Sequence, residues 1–105
     1  MKRSLMLLMG LAAACAAFSS QAAGDAAAGK KKFYTCTGCH GIAGYRNAYP
    51  DYPVPKLAGQ NQGYIINAMN AYKTGDRKHP TMSAQAESLS EQDIADIAAY
   101  LSTAK

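Results

Sequence analysis

The pentapeptide CTGCH at 36–40 constrains this chain more than any other feature, because it sets two thiols three positions apart with an imidazole directly after the second. On a helix, positions i, i+3 and i+4 share a face, so Cys36, Cys39 and His40 would point the same way. Such a face can grip something flat and wide.

The start of the chain says where this chemistry happens. Residues 1–22 have a basic tip at Lys2 and Arg3, an apolar run over 5–18 and a small-residue exit at Ser20, Gln21 and Ala22, the layout of a secretory signal peptide. The run is too short to read as a membrane anchor. Cleavage after Ala22 or Ala23 leaves a mature chain of about 83 residues. The expected organisation is a leader at 1–22 and a single domain at 23–105. Cys15 then leaves with the leader. The rival, a lipid-modified Cys15 at the mature N-terminus, fits less well: Leu11 stands four positions before it, not three, and the better cleavage signal lies downstream.

Charge matters next. The chain carries a formal +4, of which Lys2 and Arg3 leave with the leader, so +2 remains. That is no nucleic-acid footprint. The triple Lys30, Lys31 and Lys32 reads as a solvated helix face. A domain this short has a small core and often needs a disulfide, a metal or another staple. With no tryptophan and two phenylalanines, one of them in the leader, it is short of bulky filler, which a large apolar cofactor would supply.

Periodicity gives helices and no strand. Asp25 caps a helix running to about Tyr34, with Ala28 and Phe33 on its apolar side. Residues 45–60 contain Pro50, Pro53, Pro55 and Gly59 and read as an irregular loop. A second helix spans 61–74, with Tyr64, Ile65, Ala68, Met69 and Tyr72 at helical spacing and Gly75 at its end. A third follows Ser90, with Asp93 at the capping-box position and Ile94, Ile97, Ala98 and Leu101 on one side.

In an exported protein, Cys-x-x-Cys-His is the attachment signature of a c-type haem: each thiol adds to a vinyl group and the histidine coordinates iron from one side. Three alternatives use the same residues. A thioredoxin-like redox pair wants a preceding strand and a βαβ pattern. A zinc site would take Cys36, Cys39, His40 and His79, although adjacent ligands at 39 and 40 are awkward for a closed tetrahedron. A structural disulfide leaves His40 unexplained. The other side of an iron would fall to Met69, Met82 or His79. Met69 lies on an apolar helical stripe and reads as core filler. Met82 follows a segment broken by Pro80, outside any helical stripe, where packing alone would not favour a thioether. His79, just before that proline, reads as solvent-facing.

Several stretches together resemble the class I bacterial cytochromes c, especially small monohaem periplasmic members and the single halves of two-haem relatives. GDAAAGKKKFYTCTGCH is similar to the family's first helix and haem motif, VPKLAGQNQGYI to its proline-leucine loop, YKTGDRKHPTM to the approach to the methionine ligand, and LSEQDIADIAAYLS to its closing helix. The resemblance implies an all-α class I cytochrome c fold, three main helices and loops wrapped around one covalent haem c. It implies thioether links at Cys36 and Cys39, His40 as proximal and Met82 as distal iron ligand, a Pro55 carbonyl hydrogen-bonded to His40, and Leu57 packed on the haem. Gly29, Phe33 and Tyr100 would sit where the first and last helices cross. Tyr45, Tyr49 and Tyr52 are more tyrosines than the pattern calls for; covering the haem edge is their plain role.

With both axial positions filled by protein, iron has no open place for substrate, and a thioether ligand favours the ferrous form. The expected activity is therefore one-electron transfer in the periplasm and not catalysis. The partners are redox proteins that donate and accept electrons, membrane-bound complexes among them, with no nucleic acid and no stable membrane insertion. Two other readings stand beside it: a cytochrome subunit of an oxidoreductase, and a haem sensor or peroxidase with an open sixth position.

Overall fold

Asp25 opens the fold. In the computed structural model, which describes residues 24–41 and 54–105, its carboxylate accepts the N–H groups of Ala27 and Ala28 and starts helix α1 (Ala26–Lys32). Two of the donors that a helix N-terminus leaves unpaired are thereby satisfied. The expected leader at 1–22 and the tyrosines at 45, 49 and 52 lie outside the described residues.

The helix expected to run to Tyr34 instead tightens early. A 3₁₀ stretch, Phe33–Cys36, follows α1 directly and leads into α2 (Thr37–His40). After 54–61 comes α3 (Gln62–Thr74), capped by the Asn61 side chain on the Tyr64 N–H. It closes at Gly75, whose φ of 84° is a left-handed backbone that glycine adopts without a Cβ penalty. Helix α4 (Pro80–Glu87) was not legible as a helix: its proline read as a break, yet it occupies the first turn, where its missing N–H costs nothing. Helix α5 (Glu91–Thr103) begins at Ser90 with the expected box. The Ser90 hydroxyl accepts the Asp93 N–H at 3.1 Å and the Asp93 carboxylate accepts the Ser90 N–H at 3.0 Å. Among the described residues there is no strand.

Helix α1 crosses α5, and α3 packs against both α5 and α4. The core is small: Phe33, Ile65, Ile97, Ala98 and Leu101 form one buried cluster, drawn from the 3₁₀ turn, α3 and α5. At the α1–α5 crossing the backbones touch. A Cβ built on Gly29 would lie 1.9 Å from the Asp96 carbonyl oxygen and 2.9 Å from the Tyr100 Cβ. Phe33 and Tyr100 meet beside this point, ring centroids 5.9 Å apart. The crossing expected of Gly29, Phe33 and Tyr100 is thus present.

Asp96 is 3% exposed and is the buried acid of this crossing. It accepts the Asp25 N–H at 2.8 Å, Gln92 Nε2 at 2.8 Å and Lys32 Nζ at 2.6 Å. Lys32 also reaches Asp93 at 2.8 Å. The solvated-face reading of the lysine triple therefore fits Lys30 and Lys31, which are exposed, but not Lys32. Among the described residues no helix is long and apolar enough to cross a membrane.

Candidate functional site

The 3₁₀ turn carries Cys36, and α2 carries Cys39 and His40. Thr37 donates its hydroxyl to the Tyr34 carbonyl at 2.7 Å, and Cys36 has right-handed helical backbone angles as it enters α2. Cys36, Cys39 and His40 therefore occupy the i, i+3 and i+4 positions of a continuous helical stretch, the spacing that gives one face. Both cysteines are free thiols. Cys36 is partly buried and packs against the core cluster, whereas Cys39 is exposed. Burial pushes the Cys36 thiol up, with a weak contact from the Thr35 hydroxyl acting in the opposite direction.

His40 is fixed by one bond. Its Nδ1 lies 2.8 Å from the Pro55 carbonyl oxygen. A carbonyl only accepts, so Nδ1 carries the proton and donates, leaving Nε2 of the neutral ring with its lone pair. This is the hydrogen bond the sequence resemblance implied. Pro55 supplies it from an exposed position, and Leu57, two residues on, is partly buried against the core. Phe33, His40, Leu57, Tyr100 and Leu101 line a small cavity, so apolar side chains back the imidazole.

The methionines separate. Met69 packs on the core cluster from α3, as a filler would. Met82 is the third residue of α4, half-buried, and is not among the described residues packed on that cluster. Its expected place in a proline-broken loop is corrected: it stands on a helix, because Pro80 starts that helix. The solvent-facing expectation for His79 is corrected too. His79 is half-buried, and its Nδ1 accepts the Met82 N–H at 3.3 Å. A histidine directly before a proline at a helix start was the available signal.

The alternatives to haem lose their footing. Among the described residues no three His, Cys, Asp or Glu side chains gather as a metal cluster, which the zinc set of Cys36, Cys39, His40 and His79 required. Cys36 and Cys39 form no disulfide, and no strand precedes them among the described residues. The donor set that remains, two free thiols and an imidazole held with one nitrogen available, fits a c-type haem.

An all-α fold of short helices carrying this donor set defines a small haem-attaching protein. The chain belongs to the cytochrome c family: the family model described as Cytochrome c matches residues 26–105. A cytochrome c domain carries a covalently bound c-type haem with its iron, and Cys36 and Cys39 fit its attachment motif. The chain is 43% identical to cytochrome c4 of Pseudomonas aeruginosa over 102 residues, which cover 97% of this chain and 47% of that one. It is 48% identical to cytochrome c-554(548) of Halomonas halodenitrificans over 84 residues, 77% of this chain and 98% of the other. The crystal structure of reduced recombinant cytochrome c4 from Pseudomonas stutzeri superposes with a TM-score of 0.68 at 39% identity, covering 79% of this chain and 47% of that one. The chain spans about half the length of these cytochrome c4 relatives.

Proposed function

We propose that this protein is a periplasmic one-electron carrier with a single covalent haem, His40 and Met82 being the axial ligands of its iron. The observation that carries the reading is the 2.8 Å hydrogen bond between His40 Nδ1 and the Pro55 carbonyl. It holds the imidazole in the tautomer and orientation a ligand needs, before any partner is considered. The haem, when bound, supplies a one-electron couple.

The chain's own residues do the rest. Cys36 and Cys39, three positions apart on one helical stretch, would tether the group, and the part-buried Leu57 would present an apolar side chain beside His40 and keep water away. Met82 contributes a soft sulfur, which favours the ferrous state and raises the potential relative to a second imidazole. With His40 and Met82 both holding the iron, no position would be left open for a substrate, so the protein would pass electrons between redox proteins and would not itself transform a small molecule. Export through residues 1–22 would place it among periplasmic and membrane-bound partners.

Substituting the two mature methionines tests the ligand assignment. Met82→Ala should abolish the weak sulfur-to-iron absorption band of the ferric protein and lower the reduction potential. Met69→Ala should keep the band and cost about 2 kcal/mol of stability, the lower end of the range for buried side chains, since Met69 is only partly buried. The reverse pattern, with the band lost at Met69 and kept at Met82, sinks the assignment.

A further inference from the structure

The N-cap of α4 is a histidine, where serine, threonine, asparagine or aspartate is usual. His79 is extended, with φ −162° and ψ 106°, and its carbonyl accepts the Ser83 N–H at 2.8 Å as the helix begins. Its ring Nδ1 accepts the backbone N–H of Met82 at 3.3 Å. That N–H is one of the donors a helix start leaves without a partner.

The ring also meets a neighbouring helix. Tyr72 of α3 meets it edge-on, centroids 6.5 Å apart at 74°. The Arg77 guanidinium covers the Tyr72 ring at 4.9 Å and donates to the Tyr64 hydroxyl at 3.2 Å. The imidazole thus bridges two elements: it is anchored on α3 and it caps α4 at the very residue read as an axial ligand. A serine or asparagine could accept the Met82 N–H but would not carry a ring to Tyr72. An aspartate could accept it too, but would set a negative charge beside Met82.

We propose that His79 is a positioning residue for Met82, its Nδ1 fixing the first turn of α4 and hence the direction in which the thioether leaves the backbone. The proposal rests on the reading of Met82 as distal ligand. Without the bond, the first turn of α4 frays and the sulfur is offered to the iron for a smaller share of the time.

The test compares ferric holoproteins of the parent, His79→Ala, His79→Asn and Met82→Ala, following the sulfur-to-iron band and the far-ultraviolet helix signal as temperature rises. In His79→Ala the fraction of protein lacking the band should grow about fivefold at room temperature, the size expected for a lost cap. The band should also vanish well below the temperature at which the helices melt. His79→Asn, which restores an acceptor, should return most of the band. If the band in His79→Ala persists until the helices melt, or if asparagine is no better than alanine, the positioning role is wrong while the Met82 assignment stands. If Met82→Ala keeps the band, the axial reading itself fails. Nitrogen NMR of the unsubstituted holoprotein at pH 8 adds a check that needs no variant: the His79 proton should be on Nε2, and a proton on Nδ1 overturns the proposal.

Discussion

Gly29 sits where two backbones meet. Glycine within a helix costs roughly 0.5–1 kcal/mol against alanine, so an isolated α1 would gain from substitution. In the folded chain the gain is forfeited, because the added methyl would lie 1.9 Å from the carbonyl oxygen of Asp96, a backbone atom that cannot swing aside. Gly29→Ala should therefore lower stability by about 1–3 kcal/mol, as overpacking does elsewhere, with a correspondingly lower Tm by calorimetry. An unchanged or higher Tm contradicts the crossing. At this scale the sequence was informative where chemistry is local. The CTGCH spacing, the Asp25 cap and the Ser90–Asp93 box all stand as read. What one sequence could not show was contact between residues far apart along the chain: Asp25 and Lys32, two of the partners of Asp96, lie 71 and 64 residues from it. Lys32 consequently looked like one more solvated charge.

Helices α1 and α5 are joined by that cluster, and its charges make the joint sensitive to acid. Asp93 and Asp96 are both held down to about 2, chiefly by hydrogen bonds from the Lys32 ammonium, with the Ser90 N–H helping Asp93 and the Asp25 N–H helping Asp96. The same pairing raises Lys32, Asp93 being the larger cause. Carboxyls of an unfolded chain titrate near about 4. As pH falls, the unfolded chain therefore takes up protons first, so the stability supplied by these two acids is whole above about pH 5 and is lost between about pH 4 and pH 2. Asp96→Asn should reduce the Tm at neutral pH and flatten its fall between pH 4 and pH 2 relative to the parent. Parallel curves in that window contradict the assignment. The one element missed outright, α4, shows why periodicity failed: of its eight residues only Ala86 is buried, so it has almost no apolar stripe to detect. It is held by its cap and by α3, not by a buried face.

Among the described residues few large side chains are buried: Phe33, Ile65, Ile94, Ile97 and Leu101. A small domain with so little filler gains from a covalent, apolar group that its helices can close around. Belonging to the cytochrome c family supplies that group, and Cys36 and Cys39 fit its attachment motif. Everything in the proposed activity then turns on whether the iron is closed on both sides by this chain. The most direct measurement is carbon monoxide exposure of the reduced, unsubstituted holoprotein, followed by its absorption spectrum. A His40–Met82 carrier should show a spectrum unchanged by carbon monoxide at neutral pH and the sulfur-to-iron band on oxidation. Ready carbon monoxide binding would mean an open sixth position and would replace the carrier with a sensor or peroxidase.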